Sequence, residues 1–257
     1  MGLALVLAAT AIFSPNAAGA PNGAMAWGGN EFGQLGTGLR SNSWLPIAVS
    51  SLSGVIQVAA GHDHSLALLS DGKVMAWGAN GVGQLGDGSL EPSLVPVEVK
   101  GLQEVTAISA GKKYSLALLS DGKVMAWGLN DYGQLGDGGK ANSDVPVEVK
   151  GLREVHAISA GQKFADVLLR NGTVKSWGFN GPVTQGGELG IGTPIGPEVC
   201  VDGNQCSRVP VPVVGLSGAT AVSAGFTHSL VLLSDGTVMA WGGDSYLELG
   251  GPGTNLD

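Results

Sequence analysis

Charged side chains are scarce in this sequence, and basic ones form no cluster. Asp, Glu, Lys and Arg make up 13% of the 257 residues, and the net charge is −8. Apart from Lys112 and Lys113, the thirteen Lys and Arg residues are scattered singly. A nucleic-acid-binding protein needs a basic stripe to neutralise phosphates, and binding to an anionic membrane surface also needs cations. The composition therefore argues against both kinds of partner.

An apolar run long enough to span a membrane is also lacking. The run from Gly2 to Phe13 covers twelve residues, whereas a spanning helix needs about 20. No ionisable side chain occurs before Glu31, and small residues ending at Ala20 follow the run. This pattern predicts a signal peptide over residues 1–20 and a secreted or cell-surface protein.

Two features weaken the prediction of export. No Lys or Arg precedes the apolar run, and cleavage after Ala20 would leave Pro21 as the first mature residue. The alternative is a cytoplasmic protein whose reading frame begins in the wrong place or is truncated.

Cysteine is limited to two residues, Cys200 and Cys206, which enclose the segment VDGNQ. Two cysteines with no neighbouring histidine cannot form a thiolate zinc site. We predict a local disulfide, which fits an oxidising compartment. Neither a metal nor a cofactor is expected.

Glycine, in contrast, is abundant, at 44 residues, and the chain repeats itself. The string SLALLSDGKVMAWG occurs twice, at residues 65–78 and 115–128. Tryptophans recur at a spacing of 50 residues, and the last spacing is 64, which indicates a fourteen-residue insertion that contains both cysteines. The periodic tryptophans are Trp27, Trp77, Trp127, Trp177 and Trp241. The domain 21–257 divides into units at approximately 24–72, 73–122, 123–172 and 173–236, with a partial fifth at 237–257.

Each unit is predicted to contain four short strands. Asp-Gly or Asn-Gly lies between two apolar runs in every unit, which is the signal for a hairpin with a type I′ turn. The runs VPVEV and TAISAG have neither helical length nor helical spacing. Four strands per unit of about 50 residues indicate a β-propeller, and a parallel β-solenoid is the alternative.

The repeated string GxxH/Y-S-L-A-L-x-x-D-G-x-V-x-x-W-G-x-N-x-x-G-Q-L-G-D-G, then P-V-x-V and A-x-S-A-G, resembles the repeat of the regulator of chromosome condensation family. The resemblance covers about residues 25–250. It implies a propeller of seven blades that binds proteins through loops on one face. Members of that family include a nucleotide exchange factor for a small nuclear GTPase, a plant ultraviolet receptor and secreted inhibitors of beta-lactamase.

The number of units departs from that of the family. A seven-bladed ring turns about 51° per blade, so four blades cover about 206°. We expect an incomplete all-β propeller with open edges, which favours self-association. The alternatives are a piece of a longer product and a tighter ring of four or five blades.

The repetition itself argues for structural roles, because a catalytic site needs different residues that converge at one place. The periodic tryptophans are predicted to pack between blades, with each indole N–H bonded to a partner. His64 and His228 are interpreted as bonded to a neighbouring blade, and Asp87 and Asp137 as turn residues instead of calcium ligands. The repeated serines lack a nucleophile elbow, and GVGQLG lacks the Lys-Ser/Thr of a phosphate loop.

Binding residues are expected where the units differ. Trp44 occupies a slot that holds Leu94 and Asp144 in the next units, so we predict that it is exposed. The alternative is packing against the N-terminal segment. Other variable positions fall in the GxxH/Y corner and after the tryptophan strand, and we predict that each set lines one rim. The candidate protein-binding residues are Trp44, Phe32, Tyr132, Lys112, Lys113 and Tyr246.

Three functions are therefore considered. The first is a secreted or cell-surface, non-catalytic scaffold that binds an unknown protein. The second is an intracellular GTPase regulator of the exchange type, against which the apolar N-terminus counts. The third is a carbohydrate-binding or enzymatic propeller, for which no carboxylate pair is evident.

Overall fold

The computed structural model describes residues 23–183, 186–245 and 247–250. The predicted signal peptide, residues 1–20, and the candidate Tyr246 lie outside these residues. The described strands are β1 Met25–Gly28, β2 Ser43–Ala48, β3 Val55–Ala60, β4 His64–Leu69, β5 Val74–Gly78, β6 Ser93–Glu98, β7 Val105–Ala110, β8 Tyr114–Leu119, β9 Val124–Gly128, β10 Ser143–Glu148, β11 Val155–Ala160, β12 Phe164–Leu169, β13 Val174–Phe179, β14 Glu198–Val199, β15 Gln205–Pro212, β16 Ala219–Ala224, β17 His228–Leu233 and β18 Val238–Gly242.

The strands form five antiparallel sheets, which we call blades 1 to 5 in chain order. Blade 1 is β1-β2, blade 2 is β3-β4-β5-β6, and blade 3 is β7-β8-β9-β10. Blade 4 has the order β11-β12-β13-β15-β14, and blade 5 is β16-β17-β18. The fold class is therefore the predicted all-β, incomplete propeller. A sequence unit supplies its first two strands to one blade and its last two to the next, so the chain links neighbouring blades.

The predicted hairpins all form, but the predicted turn type is wrong. In the first hairpin Gly72 N donates to the carbonyl of Leu69, and Leu69 N donates to the carbonyl of Lys73. Gly72 has a φ of 82°, whereas Asp71 is not among the residues with positive φ. A type I′ turn needs positive φ at both central residues, so the turn is instead a type I turn closed by a left-handed glycine. The aspartate serves the turn differently, since its carboxylate accepts from Lys73 N at 3.1 Å.

The hydrophobic core lies between blades, in what we call seams. One cluster joins Leu66 and Leu68 of blade 2 to Ile108 and Ala117 of blade 3, and the next joins blade 3 to blade 4 in the same way. Smaller clusters fill the seams of blades 1 and 2 and of blades 4 and 5. Because apolar side chains from both faces of a central blade are removed from water, blades 2 to 4 stabilise one another.

The insertion in the fourth unit enlarges blade 4 at its outer edge. It adds β14, a 3-10 turn at Val201–Gly203 and the beginning of β15, and Glu198 pairs with Cys206 across the added strands. The structure joins Cys200 and Cys206 in a disulfide with a Cα–Cα distance of 5.9 Å. Arg208 and Glu198 form an ion pair at 2.9 Å at the same edge.

Candidate functional site

Three of the periodic tryptophans lie buried in the seams. Trp77, Trp127 and Trp177 are at most 3% exposed. Each indole Nε1 donates to a main-chain carbonyl of the preceding blade, at 2.8 to 2.9 Å, and the acceptors are Gln34, Gln84 and Gln134. Burial of a large ring with its one donor satisfied makes these residues architectural.

Trp241 also packs in its seam with its indole bonded, as predicted, whereas Trp27 does not. Trp241 is only partly buried, and its indole donates to the carbonyl of Glu188 at 3.1 Å. Trp27 is 64% exposed. In the described part of the chain no blade precedes blade 1, so the ring of Trp27 has no sheet to pack against.

Trp44 lies in β2 and is 94% exposed. In the next blades the same slot lies against the preceding blade. A Cβ built on Gly33 would come within 2.5 Å of Leu94, and one built on Gly83 would come equally close to Asp144. The slot is therefore an inter-blade contact that is open at blade 1. The alternative partner of Trp44, the N-terminal segment 1–22, lies outside the described residues.

Two sets of connections lie together at one end of the blades, which we call the loop face. The corners join the first and second strands of blades 2 to 5, at 61–63, 111–113, 161–163 and 225–227. The long loops follow the third strand of each blade. Main-chain hydrogen bonds join the two sets, such as Ala79 N to the carbonyl of Asp63 and Leu129 N to the carbonyl of Lys113. The Asp-Gly turns lie at the opposite end.

The corners surround an open cavity of about 270 Å³. Its floor is uniform, because each of blades 2 to 5 contributes an alanine and a glycine, whereas the residue after the glycine differs in each of the four. Those four residues are His62, Lys112, Gln162 and Phe226. Lys112 N donates to the carbonyl of Gln162, and Gln162 N donates to that of Phe226, both at 3.2 Å. Main-chain hydrogen bonds thus join the corners of blades 3 to 5, and the four corners together form a rim with a different side chain at each blade.

The candidates in the long loops are less accessible than predicted. Tyr132 is 5% exposed, because its ring packs edge-on against Phe179 with centroids 4.9 Å apart. The ammonium of Lys163 covers the ring at 4.4 Å from its centroid. Phe32 is half-buried. Lys163 of the adjoining corner, which the sequence analysis did not select, therefore occupies the surface that was expected to expose Tyr132.

The two predicted lysines do reach the surface of the loop face. Lys113 is exposed, and Lys112 is half-buried beside the cavity. Within the described ranges, no carboxylate oxygen lies within 4.0 Å of the ammonium of Lys112, Lys113 or Lys163. In blade 2, by contrast, His62 Nδ1 lies 2.8 Å from a carboxylate oxygen of Asp63.

The seams also contain buried titratable groups, among them His64 and Asp166. His64 Nε2 lies 2.9 Å from Ser115 Oγ of the next blade, as the inter-blade interpretation predicts. Burial lowers the pKa of His64 to about 4. Asp166 accepts from the hydroxyl of Ser229 at 2.5 Å across the seam of blades 4 and 5, and burial raises its pKa to about 7.

Asp166 escaped the sequence analysis, although a signal was present. Its place in FADVLL is taken by leucine in HSLALL and YSLALL, so comparison of the repeats identifies it as an exception. Glu188 likewise stands where other units have Gln34, Gln84 and Gln134, and burial raises its pKa to about 7.

The described part of the chain was compared with the geometry that a metal site and a membrane-spanning helix require. In that part no group of three or more His, Cys, Asp or Glu side chains is placed to hold a metal ion. Asp87 and Asp137 accept hydrogen bonds from turn residues, Ser89 N and Gly139 N respectively. No described helix is long and apolar enough to cross a membrane.

Comparison with solved structures gives matches over most of the chain. The structure of Kap60 bound to yeast RCC1 (Prp20) is 28% identical with a TM-score of 0.69, and the match covers 81% of this chain and 48% of the other. Human WBSCR16 is 27% identical with a TM-score of 0.71, over 86% of this chain and 57% of the other. Prp20p from Saccharomyces cerevisiae, described with its binding properties to Gsp1p and histones, is 22% identical with a TM-score of 0.57, over 91% and 69%.

The chain therefore spans about half the length of the first two structures that it matches. No curated protein sequence matches it. A family model described as RCC1-like domain matches residues 14–257. The resemblance predicted from the repeated string is thus confirmed, and the chain belongs to the RCC1-like domain family.

Proposed function

We propose that this chain is a non-catalytic scaffold that binds a protein partner through its loop face. The observation that carries the proposal is the rim of corners. Its backbone is fixed by blade-to-blade hydrogen bonds, while the side chain offered to solvent changes from His62 to Lys112, Gln162 and Phe226. A rigid frame that presents varied chemistry loses little conformational entropy on binding, which favours recognition of one macromolecule.

The relatives support the same role. Prp20p has described binding properties to Gsp1p and histones, and yeast RCC1 (Prp20) forms a complex with Kap60. A fold alone does not determine a partner, so the contacts must be tested on this chain's own residues.

Site-specific photocrosslinking tests the proposal. A photoreactive residue is placed at Lys113 or Phe226 on the loop face and, as the matched control, at Asp121 or Arg170 on the opposite face. All four variants are presented to the secretome and lysate of the producing cell. We expect one protein to crosslink from both loop-face positions and from neither control. Crosslinking of a macromolecule from the control positions alone would contradict the proposal.

We further propose that the scaffold acts outside the cell. The apolar run before Ala20 and the disulfide of Cys200 and Cys206 support this location. Sequencing of the mature N-terminus is expected to show cleavage near residue 20. An intact N-terminus in a cytoplasmic fraction would contradict secretion and leave the loop-face proposal standing.

The second candidate is an exchange-type regulator of a small GTPase. The 28% identity to yeast RCC1 supports it. Release of labelled guanine nucleotide from small GTPases, measured with and without the chain, tests it. Faster nucleotide release that is lost when Lys113 or Phe226 of the loop face is replaced would favour this candidate over an extracellular scaffold.

A further inference from the structure

The lysines of the loop face are concentrated on two adjoining corners. Lys112 and Lys113 lie in the corner of blade 3, and Lys163 lies in the corner of blade 4. The two corners are in direct contact, because Lys112 N donates to the carbonyl of Gln162 at 3.2 Å. Three ammonium groups that no described carboxylate neutralises therefore share one part of a chain whose net charge is −8.

The positions of these lysines are partly fixed before any partner binds. The Lys163 ammonium lies 4.4 Å from the ring centroid of Tyr132 and 5.3 Å from that of Phe179. A cation held over aromatic faces keeps its charge and retains donors for a further acceptor. Lys112 is half-buried and lines the cavity beside its alanines and glycines. Ordering the Lys163 side chain on binding thus costs little entropy, because its ammonium already lies over the two rings.

Lys112, Lys113 and Lys163 form what we call the lysine patch, and the corners on its two sides differ. On the side of blade 2, Nδ1 of His62 lies 2.8 Å from a carboxylate oxygen of Asp63, so the imidazole of that corner already has a carboxylate partner. On the side of blade 5, Phe226 is 61% exposed, and its carbonyl accepts from Gln162 N. The rim is therefore basic at blades 3 and 4 and apolar at blade 5.

We propose that the loop face recognises an acidic protein segment in which carboxylates are followed by one apolar side chain. The carboxylates lie against Lys112, Lys113 and Lys163, and the apolar side chain packs on Phe226. This assignment rests on the proposed function and names the chemistry of the partner. The remaining acidic surface of the chain repels such a segment, which restricts binding to this patch.

A nucleic acid suits the patch less well. Tyr132, the aromatic residue beside the lysines, is 5% exposed, so its face is not open for base stacking. Single-stranded nucleic acids also extend beyond three cations along a basic groove, and here they would meet an acidic surface. An oligonucleotide is nevertheless one arm of the test.

The test measures fluorescence anisotropy with short labelled peptides. The probe is a glutamate-rich peptide with one leucine. The comparison probes are the same peptide with glutamine for glutamate, the same peptide without leucine, and a single-stranded oligothymidine. We expect the glutamate peptide to bind with an affinity that falls as salt rises, and the glutamine peptide and oligothymidine to bind much more weakly.

Matched variants locate the binding site. Lys113→Glu is expected to weaken binding of the glutamate peptide by about tenfold, whereas Arg170→Glu, the same charge change on the opposite face, leaves it unchanged. Phe226→Ala should remove the advantage of the leucine-containing peptide and leave the leucine-free peptide unaffected. Both lysine and phenylalanine positions lie at the surface, and thermal unfolding of each variant verifies that it is folded.

Equal binding of the glutamate and glutamine peptides, equal effects of Lys113→Glu and Arg170→Glu, or tighter binding of oligothymidine would overturn the proposal. If the acidic peptide fails to bind while photocrosslinking captures a protein from the loop face, the acidic preference is wrong and the scaffold function stands. If the loop face captures no partner either, both proposals fail.

Discussion

The seam between blades 2 and 3 and the seam between blades 4 and 5 use the same device with opposite chemistry. In each, a polar group on the second strand of one blade meets a serine hydroxyl on the second strand of the next. The seam of blades 2 and 3, called the first seam below, pairs His64 with Ser115. The seam of blades 4 and 5, called the last seam, pairs Asp166 with Ser229. One seam buries a base and the other an acid, so the two are expected to respond to pH in opposite directions.

The base in the first seam must be neutral. The hydroxyl of Ser115 donates to the carbonyl of Gln84 at 3.0 Å, so Ser115 Oγ accepts from Nε2–H of His64. Nδ1 is then unprotonated and has no hydrogen-bond partner among the described atoms. Burial lowers the pKa of His64 from 6.5 to about 4, so its contribution is complete above pH 6.5 and is lost as the pH falls towards 4.

The acids near the last seam, Asp166 and Glu188, stabilise the folded state most when they are protonated. Burial raises the pKa of Asp166 from 3.8 to about 7, and that of Glu188 from 4.5 to about 7. Between about pH 4 and about pH 7, therefore, these two carboxyl groups are protonated in the folded state and ionised in the unfolded chain. Stability from this seam falls as the pH rises from about 4 to about 7, at about 1.4 kcal/mol per pH unit for each group.

The largest loss of stability is expected from replacing the tryptophan that each seam contains. Trp127→Ala removes a fully buried ring and its bond to Gln84, and should reduce the free energy of unfolding by about 3–5 kcal/mol. Trp241→Ala should cost less, because that ring is only partly buried. Urea denaturation of the two variants beside wild type measures the difference. Trp27→Ala, at a ring that is 64% exposed, is the control with the smallest loss. Equal losses at all three would contradict the seam account.

The next effect is the removal of the acid from the last seam. Asp166→Leu installs the residue that the equivalent slots of blades 2 and 3 hold, Leu66 and Leu116. Ser229 becomes free to donate to a main-chain carbonyl, as Ser115 does to Gln84. We expect the variant to be more stable than wild type above about pH 7 by a few kcal/mol, and its pH slope between about 4 and 7 to decrease.

The slope is measured by urea denaturation at intervals of pH. In a His64→Phe background, which removes the opposite pH dependence of the histidine, the slope that remains in Asp166→Leu is assigned to Glu188. Adding Glu188→Gln, the amide found in the other long loops, should then remove it. A slope that Asp166→Leu leaves at its wild-type value would show that the carboxyl group does not titrate as the geometry requires.

A smaller and opposite effect is expected from the base of the first seam. His64→Phe installs the residue that blade 4 holds in the same slot, Phe164, and leaves the bond of Ser115 to Gln84 intact. Stability at neutral pH should change by no more than about 1–2 kcal/mol, and the loss on acidification from pH 6.5 towards 4 should disappear. Denaturation at about pH 5 and about pH 8 measures it. If the change in stability between about pH 5 and about pH 8 is the same in the variant as in wild type, the role of His64 is refuted.

The sequence was sufficient for the parts of the fold that depend on local chemistry. Glycine after aspartate or asparagine sets each hairpin, and the recurring tryptophans predict the seams, because both follow from a repeated string. The turn type could not be read in the same way. Asp71 keeps a negative φ while its carboxylate bonds Lys73 N, and only Gly72 takes the left-handed conformation.

The site was harder to predict because exposure depends on the neighbouring blade. Tyr132 is buried by Phe179 and Lys163, which belong to the next blade, so the pattern of its own strand and loop does not indicate its burial. The slot of Trp44 contacts the preceding blade in later units, and Trp44 is exposed because no described blade precedes blade 1. Lys112 and Lys113 lie in a corner at the loop face, where Lys113 is exposed and Lys112 is half-buried, and their role in binding stays a prediction.

The smallest effect on the seams is expected at the outer edge of blade 4. Replacing both Cys200 and Cys206 by serine opens a short loop, and closure of a loop of this size contributes about 2 kcal/mol in the chain-entropy model. Because β14 pairs only with β15, the loss should appear as local opening of that edge. Amide hydrogen exchange is expected to accelerate at Val199 and Gln205 while Trp177 and its seam retain their protection. The pH slope assigned to Asp166 should remain, since the disulfide lies outside the seam. If the double variant instead lowers global stability as much as Trp127→Ala, the added strands support the seams and the separation between edge and seam is wrong.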